Sequence, residues 1–270
     1  MSSNYRFVVA NAGTHPEPAH LAAGLVESGR DVTYLTSASW PRDSALMRMA
    51  SSATFGWLHA SKVLRRRVLP SPLRSSHVRR VAGLKELRFQ LERMSLRSGG
   101  GSALAARTLS FRKGSARWLR RRDDVDCVVA QHTGAFEIFQ AAHDAVRILT
   151  FPIAHYRWMA DYLGREAEEN PRWAPYLQGH DRSPAEMDRL DAEVALADAV
   201  IVPSTFVKET FIDQGVSPRK IFVLGLGTST SDLVGERAQL NWLSGGLRVL
   251  FVGQLTQRKG LSYLLDGFSD

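Results

Sequence analysis

The chain has 270 residues, 44% of them hydrophobic, with a formal charge of +8 at pH 7 and one cysteine. That length and apolar content suffice for a sizeable core and exclude a disordered or collagen-like chain. The lone cysteine, Cys127, excludes an internal disulfide, and no apolar stretch is long enough to span a bilayer.

The chain opens on Tyr5-Arg-Phe-Val-Val-Ala10, an expected buried strand. Its apolar part is too short for the core of a secretion signal, so the expected location is the cytoplasm. Asn11 to Pro16 forms a turn, Ala19 to Ser28 carries apolar residues at helical spacing, and Gly29 ends that helix. Asp31 to Thr36 is the next strand, and the crossover makes the two parallel. From Asp43 to Arg122 the pattern is helical and irregular, with Ser98 to Ser102 as a loop. Between Lys62 and Arg122 stand 18 Lys/Arg against two acids, Glu86 and Glu92. The block is read either as solvated helix faces or as a surface that meets phosphates, anionic lipid or nucleic acid.

Val125 to Ala130 is a strand holding Cys127, which reads as a buried, inert thiol. Gly134 to His143 is helical, and Val146 to Phe151 is another strand. Ser183 to Ala197 is a helix, with Glu186 three residues after Ser183 as in a capping box. Ala199 to Pro203 is a strand, Ser204 caps a helix over Thr205 to Gln214, Gly215 closes it, and Lys220 to Leu224 is one more strand. This alternation predicts an α/β fold, a Rossmann-like doubly wound parallel sheet. Its expected extent is 1–235. Residues 236–246 read as a linker, and 247–270 as the first strand (Leu247 to Val252) and first helix (Leu261 to Phe268) of an incomplete second domain.

The segment Val252-Gly-Gln-Leu-Thr-Gln-Arg-Lys-Gly260 lies between an expected strand and an expected helix N-terminus. Free backbone N–H groups at such a junction face anionic ligands, Gly253 and Gly260 admit close backbone approach, and Lys259 adds a full positive charge. Spacing alone leaves this open against a polar loop with a solvated lysine.

Phe251 to Leu265 resembles the first strand, loop and helix of the second domain in GT-B fold glycosyltransferases of family 4, whose pattern is Gly-Arg-Leu, three variable residues, Lys-Gly. The resemblance implies that Lys259 and Gly253 hold the donor diphosphate, with Gln254 standing where the family has an arginine. Asp198 to Val207, continuing to Leu224, is similar to the late strand and capped helix of the family's first domain. Val125 to His132 is similar to the strand after which the family places a cleft histidine, which assigns His132 to the reaction centre as the catalytic candidate. His155 is a second candidate of that kind. Gly13, in Asn11-Ala-Gly-Thr-His15, stands where the family carries paired glycines near the donor phosphates, and His15 is the adjoining acceptor or sugar contact.

The resemblance thus implies transfer of a sugar, with retention, from a nucleotide-diphosphate donor, UDP- or GDP-linked, to an unknown sugar or lipid-linked acceptor. It implies no cofactor and no metal, and the eight histidines lack ligand spacing. The family's glutamate pair would lie beyond residue 270, so the chain alone is expected to be inactive. A peripheral contact with the inner face of an anionic membrane through 62–122 is the expected partner surface. The competing reading is a non-catalytic basic module for anionic lipid or nucleic acid, which leaves the Lys-Gly loop unexplained.

Overall fold

Two uninterrupted apolar runs form the centre of the sheet, as strands buried on both faces require. They are β1 (Arg6–Asn11) and β4 (Cys127–Gln131), paired in parallel with Val8 opposite Val128 and Ala10 opposite Ala130. The computed structural model describes residues 5–13, 15–50, 67–82, 101–177, 179, 182–227, 249–253 and 255–268.

From β1 the chain winds outward through β2 (Asp31–Thr36) to β3 (Val78–Arg80). It then returns to β4 and winds the other way through β5 (Val146–Thr150), β6 (Ala199–Val202) and β7 (Ile221–Val223). The order is β3-β2-β1-β4-β5-β6-β7 and every pair is parallel. This is the doubly wound α/β sheet expected from the strand–helix alternation. Its winding reverses between β1 and β4, so a crevice opens at their carboxyl ends, where such sheets bind ligands.

Helix α1 (Pro16–Glu27) covers one face, where Ala19, Ala22 and Ala23 pack with Val9, Val32, Tyr34 and Val129. The other face carries α3 (Gly101–Leu119), α4 (Phe136–Ala141), α6 (Pro184–Leu196) and α7 (Thr205–Asp213), with Phe111, Phe139, Leu190 and Phe211 in the larger core cluster. Short α2 (Ala45–Ala50) follows β2, and α5 (Tyr156–Glu169) follows β5.

Local chemistry sets the helix ends. Ser183 Oγ accepts the Glu186 amide at 3.3 Å while Glu186 accepts the Ser183 amide at 2.9 Å, which forms the expected capping box. Ser204 Oγ accepts the Val207 amide at 3.2 Å, and Gly215 ends α7 at a φ of +83°. At the amino ends of the strands, acids placed just before one strand hold its neighbour. Asp126 accepts the Arg6 amide at 2.7 Å, and Asp198 accepts the Arg147 amide at 2.8 Å.

Several expectations change. Within the irregular stretch 43–122 the structure adds the edge strand β3, and the expected loop 98–102 gives way at Gly101, where α3 begins. Helix α5 falls in a stretch to which the sequence pattern assigns no element. Helix α8 (Leu261–Asp266) forms as expected, but residues 249–252 make no strand. Leu250 and Val252 are each 84% exposed there, because no described strand pairs with them and a lone strand leaves its ladder groups unsatisfied. The proposed linker 236–246 lies outside the described residues.

Candidate functional site

The crevice is built by the loops that leave β1 and β4. After β1, Asn11 is buried and locks the turn. Its Nδ2 donates to the His15 carbonyl at 3.0 Å and to the Tyr34 hydroxyl at 3.2 Å, and its Oδ1 accepts the Gly13 amide at 2.9 Å. His15 is then the first residue before α1, exposed at the mouth. Gly13 makes this turn with its own N–H tied to Asn11.

After β4, the His132 amide continues the ladder to the Thr150 carbonyl at 3.1 Å. Its imidazole stacks on Phe151, the ring centroids 4.3 Å apart, and buried Nδ1 has no hydrogen-bond partner in the structure. Burial, followed by the charges of Arg182 and His15, brings the His132 pKa down to about 4. The structure therefore draws His15 and His132 to opposite sides of the switch point, close enough for His15 to act on His132 electrostatically. At neutral pH His132 is an uncharged imidazole with an unused nitrogen.

A cavity of about 760 Å³ opens beside the two loops, lined by Pro16 and Gln131, the chain neighbours of His15 and His132, but by neither histidine. Glu17, Pro18 and Leu21 of α1 form one wall; Gln131, Thr150 and Phe151 form the floor. Glu17 Oε2 is buried without a partner. Arg182, Glu17 and Gln131 were not singled out from the sequence: each is an ordinary polar residue in a loop or first turn, and only the strand order gathers them.

His155 is used differently. Its backbone N–H donates to Thr210 Oγ1 at 3.0 Å, its Nδ1 accepts the Arg157 amide at 3.3 Å as the cap of α5, and its ring stacks on Tyr156. Burial brings its pKa down to about 4 as well.

The Lys-Gly segment sits elsewhere. Gln257 is buried and donates to Glu166 Oε1 at 2.8 Å, and the Tyr263 hydroxyl donates to Glu166 Oε2 at 2.7 Å. Lys259 and Gly253 are exposed on this turn, and Gly260 follows at a φ of +73°. Gln254 lies outside the described residues. Glu166 is in the last turn of α5 and His155 caps its start, so the turn is anchored about 16 Å along the helix axis from that cap. The structure does not gather Lys259 with the His15–His132 pair.

Among the described residues no group of three His, Cys, Asp or Glu side chains is placed to hold a metal ion, and no helix is long and apolar enough to cross a membrane. Cys127 is buried, which pushes its thiol up to about 11.

Comparison with solved structures gives distant resemblances. The chain is similar to a UDP-GlcNAc 2-epimerase from Methanocaldococcus jannaschii at 14% identity and a TM-score of 0.39, over 81% of this chain and 44% of that one. It is similar to UGT2 of Phytolacca americana, complexed with UDP-2fluoro-glucose and pterostilbene, at 14% identity and a TM-score of 0.42, over 86% and 56%. A UDP-glucosyltransferase from Polygonum tinctorium, capable of glucosylating indoxyl, gives 15% identity and a TM-score of 0.40, over 89% and 56%. The chain thus spans about half the length of the structures it matches. No protein-family model matches it, and no curated protein does. The fold assignment rests on the sheet order itself.

Proposed function

We propose that this chain supplies the acceptor-side domain of a glycosyltransferase of the GT-B, family 4 type, comprising residues 1–235, with 247–270 as the start of a donor-binding domain. The observation that carries this reading is the pair His15 and His132 at the β1/β4 switch point, beside a cavity of about 760 Å³. A crevice at that point is where this sheet order places a ligand, and the sequence pattern of 251–265 supplies the reaction class.

In the proposed reaction an acceptor hydroxyl oxygen bonds to the anomeric carbon of the sugar. The bond from that carbon to the diphosphate oxygen breaks on the same face, giving retention. The hydroxyl proton leaves with the departing nucleoside diphosphate. His132, neutral at pH 7, is a poor base but a good hydrogen-bonding group, so it orients the sugar or the acceptor hydroxyl. Lys259, with Gly253, Gln254 and Gly13, contacts the donor phosphates once the Lys259 turn, which rests on α5 in this structure, is brought to the crevice, and its charge then stabilises the leaving diphosphate. His15 and His155 belong to the acceptor side in this reading, His155 through the core contacts it makes at the start of α5. The donor is a UDP- or GDP-sugar and the acceptor a sugar or lipid-linked hydroxyl, handled at the cytoplasmic side of the membrane.

The test is Lys259→Ala in the protein as its gene encodes it. Turnover should fall on the order of 10²-fold while donor affinity changes less; unchanged turnover removes Lys259 from the donor site.

One observation favours a membrane contact as an added role. A groove of about 330 Å³ beside α3 is lined by Arg117, Arg121 and Arg122, and Arg122 stacks over Trp118 at 4.2 Å. Binding to anionic vesicles should then weaken steeply with salt.

A further inference from the structure

Glu193 has no exposed surface, on the core-facing side of α6. Its Oε2 accepts the Thr133 amide at 2.7 Å, and its Oε1 accepts the amides of Ala135 at 3.0 Å and Phe136 at 3.2 Å. Three N–H groups of the turn after β4 therefore end on one buried carboxylate. Burying such a charge costs several kcal/mol unless its oxygens are satisfied, and here this turn is what satisfies them.

The turn needs the hold. Thr133 is the one described non-glycine residue at positive φ, +67°. A β-branched side chain there is strained and persists only where its surroundings over-determine it. Glu193 grips the amide of that residue, and Arg112 Nη1 donates to its carbonyl at 3.4 Å. His132 is the residue before. It is fixed on one side by its ladder bond to Thr150 and on the other by the gripped Thr133.

We propose that Glu193 is the positioning residue of the His132 turn, and that a proton on its carboxylate loosens that hold. The first half rests on the reading of His132 as a site residue only for its consequence in catalysis; the clamp itself is a structural relationship. Charged neighbours come from every element around it. Arg189 of α6 has its Nε 3.9 Å from Glu193 Oε1, Arg112 of α3 lies 3.6 Å from Glu137, and Glu137 of α4 pairs with Arg189 as well. All the partners named here are donors, so a proton on Glu193 competes with them and makes its oxygens weaker acceptors. Burial pushes this carboxyl up to about 7, against the pull of the three amides and Arg189. The hold is then full above neutrality and weakens below it.

The test is amide hydrogen exchange and histidine titration by NMR on the whole chain, wild type against the isosteric Glu193→Gln. The variant keeps one acceptor oxygen and loses the other. Exchange of Thr133 should accelerate at least tenfold, with the core amides Val8 and Val129 unchanged, and the His132 midpoint should move toward the ordinary histidine value. A merely structural loss would lower the melting temperature without moving that midpoint. If the variant does not fold, wild-type exchange across pH 6–8, corrected for intrinsic rates, gives the same answer: protection of Thr133, Ala135 and Phe136 should follow one titration near neutrality. An unchanged His132 midpoint in a folded variant, or pH-independent protection, overturns the proposal. Neither readout involves sugar transfer, so a shifted midpoint without transferase activity leaves the clamp standing and removes only the functional reading.

Discussion

The imidazole of His132 lies on the ring of Phe151, their planes 30° apart, so the histidine is shielded where a loop histidine would ordinarily be wet. His132 and His155 both fall from 6.5 to about 4 through burial, while Glu193 rises from 4.5 to about 7. Each histidine takes up its proton more readily in the unfolded chain. Its contribution to stability is therefore complete above 6.5 and is lost as the pH falls toward 4. Glu193 works the other way: the folded protein holds its proton more tightly, so acidification from 7 toward 4.5 adds stability. Two losses of similar size outweigh one gain. Urea melts should show a net loss on the order of 2 kcal/mol between pH 7 and 4.5. His155→Gln should bring that loss close to zero, and greater stability at pH 4.5 would contradict the buried placement of both rings.

A pair of glycines separates close approach from helix propensity. A Cβ on Gly114 of α3 would lie 2.2 Å from the Val81 carbonyl oxygen, whereas one on Gly164 of α5 meets nothing within 4 Å. Gly114→Ala must push α3 off the edge of the sheet and should cost about 1–3 kcal/mol. Gly164→Ala should instead stabilise by up to about 1 kcal/mol. Chemical denaturation of the two variants checks both signs.

Such contacts mark the limit of what the sequence makes legible. β1 and β4 are continuous apolar runs, and Ser183 with Glu186 spells its cap, so the centre of the sheet and the start of α6 could be read directly. β3 is three residues long with two exposed arginines, so it carries no apolar pattern. Helix α5 buries only Tyr156 and Leu163 within its length and reads as a polar stretch. Its sequence has no cap from Ser, Thr, Asp or Asn, since His155 does that work. The run Leu247 to Val252 reads as a strand, yet its described part, 249–252, is none, because apolar content signals a strand's composition but says nothing of its partners. At the site, His132 could be placed because a strand end fixes a position along the chain. Glu193 could not be assigned a partner, although one signal was present: Leu190, Glu193 and Ala197 follow one another at helical spacing, which puts a carboxylate on the buried stripe.

Glu166 carries the attachment of the Lys259 turn. It accepts from Gln257 and Tyr263, and Tyr263 also accepts from Asn170 Nδ2 at 3.1 Å. Glu166→Ala should leave the seven-stranded sheet intact while freeing residues 255–268. Limited proteolysis should then cut that segment at least several-fold faster, with the thermal midpoint of the sheet unchanged. Equal cleavage rates would mean that the turn is held by something other than this carboxylate.

The central claim is that the crevice between β1 and β4 serves sugar transfer. The most direct measurement is nucleoside diphosphate release from a panel of UDP- and GDP-sugars, in the presence of pooled sugar and lipid-linked acceptors, by the protein as its gene encodes it and by its His132→Ala form. The account predicts acceptor-dependent release from at least one donor, falling on the order of 10²-fold in the folded variant. No release from any donor, or the same rate without His132, would contradict it.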